Sequence, residues 1–461
     1  MEYYKLSKVE KAYTCAGVFS KSLAQIWKGF AHNVSTLTAQ ESESEYIFRA
    51  GNCAIPTLQD GDEYAINIQP TGYCVVGCDA LSVIRGVMTL IMRIENHPLS
   101  QGVDMVIACG EVHGNFAVKE RTIHVGCPKS AFDFRRFIRF CALLQYKILV
   151  VEFRYNFKFK CLPKPMIAGK CIKKGVLKKL FKEANDLGLQ IVPMFNSLGH
   201  ASTYGEEHGE HALLDVDIKY QHLYSPNGWC FNVQNPKVIE ILNAIRKELC
   251  EFVDQSKFEK KYYHLGFDEA YIYRKQYLPP EIVANFMKTL TDQVVADGYI
   301  PFVWGDMFVN KEMIPEYDAS AGVFYCAECE HPYELLKGLN EKTIICDWQY
   351  SVYKAPVVTT AHLKEKGYNV YGSAWGGKSW FTPDNARAHV DMVKQGKSDG
   401  IMMTTWGVTK RYDAVLYCAY DCGLPHNTWS KYSQPSTVVA TFYRNLLPAK
   451  GNFKKSGHVS K

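Results

Sequence analysis

From about Glu120 onward the chain alternates between two kinds of segment. Short runs of apolar, largely β-branched residues trade places with longer stretches whose apolar residues recur at helical spacing. KILVVEF, LQIVPMF, KYYHLGF, YIPFVW, AGVFYC, TIICDW, YNVYGSAW and GIMMTTW read as strands. Between the first two, Val176, Leu177, Leu180, Phe181, Ala184 and Leu187 mark one helix face, with Gly188 as its stop. Asn235 and Pro236 cap and open a second helix carrying Val238, Ile241, Leu242, Ile245, Leu249 and Phe252. Such alternation calls for parallel strands joined by crossover helices. Over roughly 300 residues it favours a closed (β/α)8 TIM barrel above an open sheet. TIICDW is the candidate surplus strand, and one barrel strand is expected to be too short to recognise.

Before about Gly114 the pattern differs. EYIFRA, EYAINI and GYCVVG alternate like strands, and an apolar run from Leu81 to Ile94 follows at helical spacing. The expected organisation is a small α+β domain over 1–115, its first 45 or so residues unassigned, and a barrel over 116–461.

Composition narrows the function. The net charge of +6 is scattered, and KCIKKGVLKK and the terminal GNFKKSGHVSK are its densest runs. Neither forms a stripe that would track a nucleic acid. The first residues, MEYYKLSKVEKAYTC, lack a signal peptide's apolar core, and no window reaches the roughly 20 apolar residues of a membrane span. The 16 cysteines are scattered and many sit in apolar runs. Free thiols in a reducing compartment fit this better than a disulfide framework, so a cytoplasmic location is expected, with no nucleic-acid and no membrane partner.

A barrel's chemistry sits where its strands end. The residues there are Glu152, Asn196 with His200, His264 with Asp268 and Glu269, Trp304 with Asp306, Tyr325, Tyr350, Trp375 and Trp406. Indole faces and carboxylates together suit a sugar ring, whose apolar face packs on an aromatic while its hydroxyls bond to acids and amides. The adjacent acids Asp268 and Glu269 follow an apolar run and a glycine. On a helix they would point about 100° apart. At a strand-to-loop junction both can reach one ligand, and their repulsion is expected to keep one protonated near neutral pH. A proton donor beside a fixed negative charge is a glycosidase arrangement. Adjacent acids cannot flank a bond from opposite sides, so the fitting case is the one in which the substrate's own acetamido group attacks.

HLGFDEAY resembles the His-x-Gly-x-Asp-Glu motif of family 20 glycoside hydrolases, the β-N-acetylhexosaminidases, and is most similar to the hexosaminidase D-like branch. VPMFNSLGHAS, PFVWGDMF and TTWGVTKRYDAVL resemble further segments of that family. The resemblance implies Glu269 as general acid and base, and Asp268 as the group that holds the acetamido N–H. It implies His200 as their support and Trp304, Trp375 and Trp406 as pocket walls. Tyr350 would bond the acetamido oxygen and Asp413 a sugar hydroxyl. It also implies a glycan with terminal N-acetylhexosamine as substrate, with no cofactor and no metal. The chain departs from the family at His124-Val125-Gly126-Cys127, at Glu152-Phe153-Arg154-Tyr155 and at Trp304-Gly305-Asp306, where relatives carry more acids. A non-catalytic amino-sugar binder on the same scaffold is therefore an alternative.

Three other motifs compete. GSAWGGKS, Gly372 to Ser379, satisfies the phosphate-loop pattern and would make the chain a nucleotide-dependent enzyme. Pro383, four residues past Ser379, argues against the helix that such a loop requires. GEEHGEHALLD holds two histidines among acids, but at no metal-ligand spacing. Cys326, Cys329 and His331 form a single CxxCxH that lacks a second pair.

Overall fold

The computed structural model describes residues 2–31, 36–42, 46–96, 104–126, 128–154, 157–162, 172–201, 217–226, 228–273, 277–314, 326–375, 383–406, 413–426 and 445–446. The first nine strands and two helices precede the barrel. They are β1 (Tyr3–Lys5), β2 (Val9–Cys15), α1 (Lys21–Ala31), β3 (Thr36–Ser42), β4 (Ile47–Gly51), β5 (Asp62–Gln69), β6 (Gly72–Gly77), α2 (Ala80–Met92), β7 (Ile94–Asn96), β8 (Met105–Ala108) and β9 (Gly110–Asn115). They form a six-stranded sheet in the order β3-β2-β4-β6-β5-β9 and a three-stranded one in the order β1-β8-β7. α2 is apolar almost all round and buries Val83, Ile84, Val87, Met88, Leu90 and Ile91. Asp79 caps its start by accepting from the Ser82 amide at 2.6 Å.

The next eight strands close into a parallel barrel: β10 (Arg121–Val125), β11 (Ile148–Glu152), β12 (Gln190–Met194), β13 (Tyr262–His264), β14 (Ile300–Trp304), β15 (Ile344–Trp348), β16 (Asn369–Trp375) and β17 (Gly400–Thr404). The helices around it are α3 (Ala131–Leu143), α4 (Lys174–Asp186), α5 (Pro236–Phe252), α6 (Pro280–Ala296), α7 (Pro332–Leu336), α8 (Val358–Glu365), α9 (Pro383–Lys394) and α10 (Asp413–Cys422). Strand residues alternate between two cores. Ile148, Val150, Val192, Met194, Phe302, Trp304, Cys346 and Met402 fill the barrel. Leu149, Val151, Ile191, Val303, Ile345 and Met403 face the helices, in a cluster that continues into the N-terminal sheets. Burial on both faces is why these strands read as unbroken apolar runs.

The structure corrects the strand count. TIICDW is no surplus: as β15 it is the sixth barrel strand, between β14 and β16. The strand missing from the sequence reading is β10, which pairs with β11 on one side and β17 on the other and so closes the barrel. It is five residues long, and Arg121 and His124 break its apolar character. AGVFYC was read in its place; it lies outside the described residues except for Cys326, as does Tyr325, and the barrel closes without it. The caps on α5 fall where expected, with Asn235 accepting from the Lys237 amide and Pro236 opening the helix.

Arg121 has a second role. Its guanidinium is buried, lies 3.6 Å from the Phe116 ring centre, and donates to both carboxylate oxygens of Glu63 on β5, at 3.0 and 3.2 Å. Arg85 of α2 and Lys147 pair with the same carboxylate at 2.9 and 3.0 Å. Burial works against the Glu63 charge, but Arg121, then Arg85 and Lys147, hold its pKa down at about 2. Its pKa is depressed in the fold, so its contribution is present above the unfolded value near 4.5 and is lost as pH falls through about 2. Removing one partner from a buried ionic cluster costs about 3–5 kcal/mol. Glu63→Gln is expected to lose stability of that order in urea melts at pH 7. Its melting temperature should also fall less steeply between pH 5 and 2 than the parent's. Parallel acid limbs in the two proteins would show that the cluster does not carry this term.

Candidate active site at the mouth of the barrel

The acidic pair follows β13 on a backbone that turns in the left-handed region. Gly266 has φ +75°, Phe267 +77° and Glu269 +50°. Gly266 is required twice over: its φ is positive, and a Cβ there would meet Asn196 Oδ1 at 2.2 Å. Gly199 is required by approach alone, since a Cβ would lie 2.0 Å from the Asp268 carbonyl oxygen. Side-chain-bearing residues with φ near +50° also occur at His200 (+53°) and Trp406 (+48°). Such conformations cost about 1–3 kcal/mol each and collect at functional sites.

This turn brings the two acids onto one side chain. His200 Nε2 lies 3.1 Å from Glu269 Oε2 and 3.3 Å from Asp268 Oδ2. Burial opposes the charged imidazole, but Asp268 and then Glu269 outweigh it and push His200 up to about 10. The acids differ in depth: the Asp268 side chain is 5 % exposed and that of Glu269 29 %. The Glu269 backbone is tied on both sides. Its N–H donates to Asp306 Oδ2 at 2.8 Å, and its carbonyl accepts from Trp229 Nε1 at 2.7 Å. Asp306 is buried, and its other carboxyl oxygen accepts from Trp348 Nε1 at 3.0 Å. Burial, then the nearby Asp268, drive Asp306 up to about 8. The acid that burial and crowding raise is thus a third one, behind the pair.

Aromatic rings line the mouth. Trp304 packs 4.5 Å from His264, 5.3 Å from Trp406 and 5.4 Å from His124, measured between ring centres. Tyr350 lies 5.2 Å from Trp348 and 5.5 Å from Trp375. Its hydroxyl accepts from Trp406 Nε1 at 2.9 Å and from Thr404 Oγ1 at 3.1 Å. His124 is pushed down to about 3 by burial and then Arg154, and His264 is lowered by burial and His124. Both rings are therefore neutral at pH 7. Several buried polar atoms here have no hydrogen-bond partner among the described residues: Asp268 Oδ1, His264 Nε2, both His124 nitrogens, and the indole N–H groups of Trp304 and Trp375.

Asp268, Glu269, His200, Trp304, Tyr350, Trp375 and Trp406 thus share one end of the barrel. Asp413 stands apart in the chain, opening α10 beyond the undescribed 407–412, and the contact described for it runs to Tyr417, one turn along that helix. Sequence reasoning missed Trp229, which packs on His200 at 4.6 Å and on Tyr271 at 6.0 Å. It also missed that Trp348 and Asp306 hold one another. Both join the site through contacts between different strands, which leave no local signal. The Glu152-Phe153-Arg154 departure proves to be an ion pair, with Arg154 Nη2 2.7 Å from Glu152 Oε1. Of the phosphate-loop match, Gly372 to Trp375 are paired residues within β16, so its described part has no phosphate-cradling geometry; 376–382 lie outside the described residues. GEEHGEHALLD also lies outside them. Among the described residues no group of three or more side chains could hold a metal ion, and no helix is long and apolar enough to cross a membrane. The fourteen described cysteines are free thiols.

Comparison with known proteins agrees with this geometry. Residues 164–373 match the model of the glycosyl hydrolase family 20 catalytic domain. Lacto-N-biosidase of Bifidobacterium bifidum is 26% identical over 353 residues, which cover 69% of this chain and 29% of that protein. The chain therefore spans under a third of that relative's length. Among solved structures, the β-N-acetylhexosaminidase of Bacteroides fragilis superposes with a TM-score of 0.64 at 14% identity, covering 96% of this chain and 93% of that one. The family 20 β-N-acetylhexosaminidase of Streptomyces coelicolor A3(2) gives the same values. The family 20 exo β-N-acetylglucosaminidase of Vibrio harveyi, bound to N-acetylglucosamine, superposes at 0.65 with 12% identity, covering 96% and 75%. At these identities the superpositions show a shared fold. The segment 164–373 that matches the family 20 catalytic-domain model holds the acidic pair, His200, Trp304, Asp306 and Tyr350.

Proposed function

We propose that the chain is a β-N-acetylhexosaminidase of the hexosaminidase D-like kind, removing terminal β-linked N-acetylglucosamine or N-acetylgalactosamine with retention. The observation that carries this reading is the His200 bridge between two carboxylates of unequal depth. Glu269, nearer the surface, would protonate the glycosidic oxygen as the bond to C1 breaks. The substrate's acetamido oxygen would attack C1 from the opposite face, giving an oxazolinium intermediate. Asp268 Oδ1, a buried acceptor without a partner among the described residues, suits the acetamido N–H and the positive charge that develops there. The Tyr350 hydroxyl, which accepts from Trp406 Nε1, is suited to bond the acetamido oxygen. Glu269, now a carboxylate, would then deprotonate the water that opens the ring.

The surroundings suit the same guest. The half-buried indoles of Trp375 and Trp406 offer flat apolar walls for a pyranose and its acetamido methyl, and Trp304 lies buried against Trp406 at the base of the pocket. The neutral imidazoles of His124 and His264 are fully buried and back the Trp304 ring. Arg154 and Glu152 present paired charge where relatives carry acids, and Asp413 would reach a hydroxyl from the start of α10. The names of the relatives, hexosaminidases and a lacto-N-biosidase, point to the same sugar class.

Two measurements test this. Release of an aryl leaving group from both β-N-acetylhexosaminides is expected of the wild type, and Glu269→Gln should lower kcat about 10²- to 10⁴-fold. No turnover of either, with the melting temperature raised by free N-acetylglucosamine, would instead make the chain an amino-sugar binder. The second measurement concerns pH. His200 is raised in the fold, so its contribution is complete below the unfolded value near 6.5 and is lost as pH rises through about 10. Asp306 is a raised acid, so folding increasingly opposes its ionisation until pH passes about 8. Both terms have the same sign. The wild-type melting temperature should fall between pH 7 and 10, and His200→Gln should flatten that decline. Equal slopes would remove the charged bridge from the account.

A further inference from the structure

Glu269 must aim one oxygen at a glycosidic bond, yet its backbone sits in a left-handed conformation that side-chain-bearing residues seldom adopt. That backbone sets where its side chain starts, and His200 holds the carboxyl 3.1 Å away, so a shift of the backbone moves the acid off its partner. Its carbonyl accepts from Trp229 Nε1 and from the Tyr271 amide, both at 2.7 Å. Its N–H has the Asp306 carboxyl as acceptor.

Asp306 is well made for such a hold. It opens a single 3-10 turn, Asp306–Phe308, straight after β14. Its carbonyl accepts from the Ala327 amide at 2.9 Å, and the Gly305 amide before it donates to the Cys346 carbonyl of β15 at the same distance. Trp348 at the end of β15 donates to one carboxyl oxygen and Glu269 to the other. Asp306 is 1 % exposed and lies behind the pair. One side chain therefore joins the ends of three consecutive strands, β13, β14 and β15, at the point where the acid is presented.

Resting on the hexosaminidase reading, we propose that Asp306 is a positioning residue for the Glu269 proton donor, and that it acts only through the Glu269 backbone. Such a residue has a distinctive signature. Proton donation matters when the leaving group is a poor one, such as an alkoxide or another sugar. It matters little when the leaving group departs unaided, such as dinitrophenolate. A misplaced acid should therefore penalise the first class and spare the second, whereas a general loosening of the pocket would penalise both. kcat/KM is the right quantity, because it reports the steps up to closure of the oxazolinium ring and excludes the later water attack.

The experiment compares kcat/KM for methyl and 2,4-dinitrophenyl β-N-acetylglucosaminide in wild type, Asp306→Ala and Asp306→Asn, with melting curves for each. Asp306→Ala is expected to lose at least about 100-fold on the methyl glycoside and less than about 10-fold on the dinitrophenyl one. Asp306→Asn keeps one carbonyl acceptor and should show the same selective loss, smaller in size; it carries the test if the alanine variant does not fold. Equal losses on both glycosides, or no loss on either, overturn the inference while leaving the hexosaminidase reading intact. A wild type silent on both glycosides overturns that reading, and the inference with it.

Discussion

Two carboxylates from neighbouring residues have to share one small volume, and almost every feature at the mouth of the barrel answers that demand. A regular strand would send their side chains to opposite faces, and a helix would splay them. The chain instead turns through the left-handed region at Gly266, Phe267 and Glu269, so that both acids meet His200. The imidazole supplies the positive charge that lets them stay close. The approach is tight enough that two glycines are dictated by it, Gly199 beneath Asp268 and Gly266 against Asn196.

The same stack of side chains serves as core and as site, and the change from one to the other occurs within a few residues. Low in the barrel the filling is Ile148, Val192 and Ile344. One or two layers higher it is Trp304, with His264 and His124 against its ring. Burial keeps those two histidines uncharged, and they bring polar nitrogens into a place otherwise sealed by apolar packing. A closed core would not tolerate so many unpaired donors and acceptors, because each costs about 1–3 kcal/mol when it is left so.

Much of this was legible in the sequence, for physical reasons that differ from element to element. Strands such as ILVVE and QIVPM announce themselves because both of their faces are buried. β10 did not, because its Arg121 serves the joint with β5 and its His124 serves the site, and both break the apolar run. The acidic pair and His200 were readable because the residues that hold them lie within a few positions in the chain. Trp229, Trp348 and the Asp306 bond to Glu269 were not, since each is a contact between segments at least 37 residues apart.

The buried cluster around Glu63 has a consequence for how the molecule can be divided. β10 is the seam at which the barrel sheet meets itself, and the charge at the start of that seam is neutralised from outside the barrel, by β5. A chain cut between β9 and β10 would keep all eight barrel strands and lose the counter-ion of one of them. Arg121 would then have to drag water into the joint or pull its strand out of register, and the ring would open at that edge. The N-terminal sheet is in this sense the clasp of the barrel rather than an ornament beside it. Gene fusions or truncations that respect the visible boundary between sheet and barrel would still part Arg121 from the carboxylate that fastens it.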